Sequence, residues 1–139
     1  MLGIGILGVV AGIGHATYQD YRDRARMADV AVAISSLATQ IEHYKTERNV
    51  YPTTLADIGA ASIRDPWGRA YQYVSHADSG NKGAWRKDHN INPINSDFDL
   101  WSNGKDGATS PQLTATVSRD DIVRANDGRF IGLASQYDP

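Results

Sequence analysis

Met1 to Thr17, MLGIGILGVVAGIGHAT, is apolar throughout, with His15 its only titratable side chain. From Tyr18 onward the chain turns polar. Past that switch the apolar residues form a single stripe: Met27, Val30, Ile34, Leu37, Ile41 and Tyr44 follow one another at alternating steps of three and four. Such positions share a face only on a helix. Asp29, Ser35, Ser36, Thr39, Gln40, Glu42, His43 and Lys45 fill the positions between. No proline precedes Pro52, and no glycine lies between Gly14 and Gly59. One nearly continuous helix is therefore expected from the N-terminus to about Glu47. It would be about 70 Å long, more than a domain of this size can bury. Its C-terminal half is expected to pack on the rest of the chain through the stripe. Its N-terminal half needs another shelter, either lipid or neighbouring copies of itself.

Beyond the helix the pattern breaks into short pieces. Asn49 to Thr54 ends the helix and begins a turn. Thr53 or Thr54 is placed to cap a short helix over Leu55 to Ile58, closed by Gly59. Asp65-Pro66-Trp67-Gly68 signals a turn, and Ala70 to Val74 alternates as a strand does. Residues 75–96 read as loop. Asp97 to Ser102 alternates again, with Phe98 and Leu100 on one face, and runs into the Asn103 to Gly107 turn. Thr114 to Val117 suggests another short strand, and residues after Arg124 read as a tail. The fold class is α+β: a long N-terminal α-helix packed on a small antiparallel β-sheet. Two regions follow, an apolar membrane or filament-core helix half over 1–21 and a globular part over 22–139.

Composition narrows the function. The 139 residues carry 14 Lys and Arg against 16 Asp and Glu, a net charge of −2, so no basic field exists to hold nucleic acid. Cysteine is absent, which excludes disulfides, zinc–thiolate sites and thiol catalysis. The first seventeen residues would reach about 26 Å as a helix, close to a hydrocarbon core of about 30 Å. Their glycines are tolerated better in membrane helices and helix seams than in water, and Gly8 and Gly12 have the spacing that lets two helices approach closely. Tyr18 and Tyr21, followed by Arg22, Arg24 and Arg26, resemble the belt of a membrane surface. Gly3 to Gly8 spells a dinucleotide fingerprint, but two residues cannot form the strand that must precede it. His15, His43, His76 and His89 have no metal-binding spacing, and no nucleophile elbow occurs, so no catalytic residue is expected. Asp106, in a Gly-Lys-Asp-Gly turn, and the adjacent pair Asp120 and Asp121 supply oxygens of the kind calcium takes. They miss the EF-hand template, and by themselves they read as solvated turn residues.

The order of these blocks resembles a known family. Ile6 to Ala11 followed by Tyr18 to Tyr21 is similar to the N-terminal helix of type IV pilins and pseudopilins. Tyr51-Pro52-Thr53-Thr54, Asp65-Pro66-Trp67-Gly68 with Tyr71-Gln72-Tyr73, Asp97 to Ser102 with Gly104 to Gly107, and Asp120-Asp121-Ile122 resemble the major pseudopilin of type II secretion, in the same order. In that family the mature chain opens with a segment like Phe-Thr-Leu-Ile-Glu behind a cleaved basic leader, so the resemblance implies a natural start upstream of Met1. The family's helix proline falls where Ala16 stands, and Arg124 to Pro139 runs past the usual end.

The resemblance implies a structural polymer subunit and not an enzyme: a homopolymer forming a periplasmic pseudopilus for protein export. Subunits would wait in the bacterial inner membrane on a single-pass helix, globular part in the periplasm, beside minor pseudopilins and an inner-membrane assembly platform. Ile4, Ile6, Leu7, Gly8, Val9, Gly12 and Ile13 would pack the filament core. It also implies a structural calcium held by the side chains of Asp106, Asp120 and Asp121, with backbone oxygens near Asn103 and Val117. The alternatives are a type IV pilin or minor pilin of a surface fibre, or a membrane-tethered periplasmic binding module or enzyme that never polymerises.

Overall fold

A computed structural model describes residues 2–77 and 79–139, with side chains described for 17–77, 80 and 82–139. Helix α1 spans Leu2–Arg48, 47 residues without interruption, within a residue of the expected end. Lys45 and Arg48 lie in its last turn, where positive charge faces the negative end of the helix dipole. Lys45 Nζ donates to the Asn49 carbonyl at 2.8 Å, and Asn49 turns left-handed at φ 60°, stopping the helix. A single 3-10 turn over Leu55–Ile58 follows, closed by Gly59 at φ 72° as expected. Asp57 secures its start by accepting the backbone N–H groups of Thr53 and Thr54.

Four strands follow: β1 (Gln72–Ser75), β2 (Phe98–Ser102), β3 (Ile122–Ala125) and β4 (Phe130–Leu133). They form one sheet in the order β1-β2-β3-β4, with every pair antiparallel. β1 and β2 match the expected strands to within two residues. The segment expected as a strand over Thr114 to Val117 is instead a 3-10 turn, Thr116–Ser118. Backbone bonds from Ala115 to Gln112 and from Ser118 to Ala115 curl it locally, so its N–H groups are spent inside the turn. β3 and β4 are additions: the apparent tail returns through Asn126 and Asp127, both at positive φ, and pairs back on β3.

The helix stripe is buried on one sheet face. Val30, Ile34, Leu37 and Ile41 pack with Phe98 and Leu100 of β2 and Ile122 of β3. Strand residues alternate between faces, and the other face is also covered. There Trp101, Val123 and Ala125 pack with Ile94, Leu113 and Ala134 from the surrounding loops. That second layer explains why β2 and β3 are buried along their whole length. Residues 85–96 and 109–121 lie side by side in it, joined by backbone bonds from Lys87 to Pro111 and from Leu113 to Lys87. At the N-terminal side of the stripe cover is lost: Tyr18 and Tyr21 are 57% and 71% exposed.

Candidate functional site

Asp106 meets Asp120 where the Asn103 to Gly107 turn touches the segment before β3, while Asp121 turns to Arg86 and Thr109. Gly104 makes this approach possible. Its φ is +68°, and a Cβ there would overlap the Asp120 carbonyl oxygen and lie 2.7 Å from the carbonyl carbon. The Asp106 N–H donates to Asp120 Oδ2 at 2.9 Å, while Asp106 Oδ1 accepts the Ala108 N–H at 2.8 Å. Asn103 Oδ1 accepts from Trp101 Nε1 at 2.8 Å, and its amide reaches the Gly107 carbonyl at 3.4 Å. Val117 sits in the 3-10 turn with an exposed side chain.

Asp121 is the buried member. Its Oδ2 accepts from Arg86 Nη2 at 2.8 Å and from Thr109 Oγ1 at 2.5 Å. Burial pushes the Asp121 carboxyl up to about 6, helped by the neighbouring Asp120 charge and opposed by the Thr109 hydroxyl and the Arg86 guanidinium. The Oδ1 atoms of Asp120 and Asp121 are both buried, with no hydrogen-bond partner among the described residues. Buried carboxylate oxygens rarely go unpaired, and an oxygen-seeking cation is one way to satisfy them. Among the described residues, no group of three or more His, Cys, Asp or Glu side chains is arranged to hold a metal ion. A calcium here would therefore have to draw together the carboxylates of Asp106, Asp120 and Asp121, which are not gathered round one point, and add neutral oxygens.

Arg86 carries no sign in the sequence, where it looks like one more charge in a loop. In the fold it is 1% exposed. Nη2 also donates to Thr109 Oγ1 at 2.6 Å, and Nη1 donates to the Ser110 carbonyl. The guanidinium carbon lies 4.1 Å from the centre of the Trp101 ring. Burial lowers the Arg86 pKa and the Asp121 charge opposes that shift. The Ser118 hydroxyl, which accepts the Ser110 N–H and donates to the Ser110 carbonyl at 2.8 Å each, pins the same loop.

The expected filament-core residues Ile4, Ile6, Leu7, Gly8, Val9, Gly12 and Ile13 have side chains outside the described residues; their backbone belongs to α1. Among the described residues no helix is long and apolar enough to cross a membrane.

A long amphipathic helix laid on one face of a small antiparallel sheet, and exposed at Tyr18 and Tyr21 ahead of that contact, is the build of a pilin-like fibre subunit. Residues 17–120 match the family described as Type II secretion system (T2SS), protein G, and the chain belongs to that family. It is similar to the Type II secretion system core protein G of Vibrio cholerae, 26% identical over 58% of this chain and 68% of that protein. It is also similar to a fimbrial protein of Neisseria meningitidis serogroup A, 26% identical over 91% of this chain and 75% of that one. The type IV major pilin protein PilE of Neisseria gonorrhoeae is 25% identical over 94% of this chain and 83% of its own length. No solved structure matches. The chain is a pilus- or pseudopilus-type structural subunit of the type II secretion class.

Proposed function

We propose that this chain polymerises through the N-terminal half of α1 into the periplasmic pseudopilus that drives protein export, and that it catalyses no reaction. One observation carries the reading. α1 is a single 47-residue helix, and among the described residues its buried stripe begins around Met27 and Val30, with Tyr18 and Tyr21 exposed before it. A rod of about 70 Å is thus clamped to the sheet through its C-terminal half, and its N-terminal half would be the part that meets neighbours. Residues 1–21 would lie in the inner membrane before assembly and in the fibre core after it, with 22–139 coating the outside. Minor pseudopilins and an inner-membrane assembly platform would be its partners.

Calcium is proposed as the structural ion. Asp120 and Asp121 would offer their unpaired oxygens, Asp106 and backbone oxygens near Asn103 and Val117 would complete the shell, and the ion's charge would bind the 103–107 turn to the start of β3. Titrating the chain with calcium and following its melting point tests this: Asp121→Ala should abolish any stabilisation. An unchanged melt with and without chelator would remove the ion.

Replacing Gly8 with glutamate tests assembly. Fibres should be lost while the circular dichroism of the globular part is kept, because a charge within a helix bundle is costly to desolvate. Normal fibres from Gly8→Glu would sink the packing scheme. The Neisseria relatives cover more of this chain than the Vibrio protein does, which favours a surface pilus as the second reading. Fibres labelled by antibody on intact cells would select it.

A further inference from the structure

The acidic loop already contains a cation. We infer that Arg86 is the resident counter-ion of this loop, and that its guanidinium holds residues 109–121 folded on the sheet when no metal is bound. The inference goes beyond the calcium reading and uses that reading only as a contrast.

Burying an arginine is costly unless charge and hydrogen bonds offset it. Arg86 is 1% exposed; both its terminal nitrogens are matched, while Nε has no hydrogen-bond partner among the described residues. A carboxylate from Asp121, a hydroxyl from Thr109 and a main-chain carbonyl from Ser110 accept from it. Carboxylate, neutral side-chain oxygen and backbone carbonyl are the set of oxygens a hard cation collects. All three acceptors lie in the acidic loop. Arg86 itself is fixed to the sheet: its own N–H donates to Asp99 Oδ2 of β2 at 2.7 Å, and its carbonyl accepts the Ile94 N–H. The Trp101 ring, 4.1 Å away, covers the guanidinium and keeps water from competing. One fixed positive charge therefore spans from β2 to the loop, as a bound ion would.

The charge balance sets the consequence. Asp120 and Asp121 bring two negative charges, and Arg86 cancels one. Without Arg86 the two adjacent carboxylates would repel in a low-dielectric site, and the loop would depend on an external ion. With it, the loop keeps its fold unaided, and any divalent ion is held less tightly than by an uncancelled pair.

The test is a double-mutant cycle on the full chain in mild detergent with excess chelator, read as melting temperature. Arg86→Met should lower the melting point by about 10 °C. Asp121→Asn should lower it too, by leaving the guanidinium short of its partner. The double variant should recover most of either loss, because neither charge is then buried alone. Arg86→Lys, which keeps charge but not the fork, should fall between. Losses that simply add would mean that Arg86 acts by packing alone. A single variant too unstable to melt cooperatively, beside a double variant that does so, would support the pair as well. Wild-type chain that unfolds on chelation would show that an ion, and not Arg86, holds the loop. Calcium calorimetry on the same sample separates the two ideas. An absence of heat would remove the calcium site and leave the cycle's outcome standing.

Discussion

Ser102 donates its hydroxyl hydrogen to Asp65 Oδ2 at 2.8 Å, joining two turns that lie 37 residues apart. Asp65 Oδ1 meanwhile accepts the N–H groups of Trp67 and Arg69, and Ser102 Oγ accepts the Gly104 N–H. The Asp-Pro-Trp-Gly turn and the Asn103 to Gly107 turn are thus one hydrogen-bonded body behind the end of β2. Asp65→Ala removes the acceptor for three donors and should cost about 3 kcal/mol. Ser102→Ala should cost less, about 1 kcal/mol. Guanidinium unfolding midpoints of the two variants give the comparison; equal losses would argue against Asp65 as the hub.

Gly104 should be the least replaceable residue of this body. Its positive φ disfavours any side chain, and the Asp120 backbone occupies the space a Cβ needs. Gly104→Ala should destabilise by about 3 kcal/mol or more, seen as a lower melting point, and should loosen Asp120 along with it. Gly59 has φ +72° but open space around it. Gly59→Ala should therefore cost only about 1 kcal/mol.

Arg124 grips Asp97 with two contacts of 2.8 Å. Burial alone would raise the Asp97 pKa, but the hydrogen bonds from Arg124 and from the Phe98 N–H outweigh it and hold the carboxyl below its usual range. A lowered folded-state pKa means the unfolded chain takes up the proton first as pH falls. The contribution is then fully present above about pH 4 and disappears as pH drops through the folded value. Glu42, raised by burial and by the Asp97 charge, has the opposite sign and favours the fold more as pH falls toward that of an unfolded glutamate. Urea midpoints at about pH 7 and about pH 3 should show a steep acid loss that Asp97→Asn reduces. At neutral pH that variant should already be weaker by about 3 kcal/mol. An acid limb of unchanged steepness would place the sensitivity elsewhere.

Leu37 is 1% exposed in the stripe and Val32 is 70% exposed beside it. Leu37→Ala should cost about 2–5 kcal/mol, whereas Val32→Ala should stay within about 0.5 kcal/mol. A large loss at Val32 in the unassembled chain would mean that α1 sits on the sheet in another rotation.

The helix and its buried face were legible because Val30, Ile34, Leu37 and Ile41 repeat without exception and no breaker interrupts them. β2 was legible from the alternation of Phe98 and Leu100. β3 and β4 were hidden by chemistry that only a fold can justify. Asp121 and Arg124 flank the apolar residues Ile122 and Val123, and buried charges erase the hydrophobic signal that marks a strand. They are buried because Arg86 and Asp97 meet them, residues 35 and 27 positions away in sequence, and no local pattern reports such a pairing. Thr114 to Val117 misled in the reverse sense: its β-prone residues lie in a turn whose shape Ser118 and Ser110 decide. Of the candidate site, the aspartates could be picked out by eye. The guanidinium among them had no signal beyond an arginine beside a tryptophan.

α1 has no proline, and its last glycine is Gly14. From there to Arg48 the rod has no swivel, and four of its side chains are locked into the sheet. In the proposed fibre, a push or twist at the base of such a lever would be carried along the helix to the head. Each globular part would then turn with its own stalk, and the angle at which stalks nest would set the spiral that the outer surface follows.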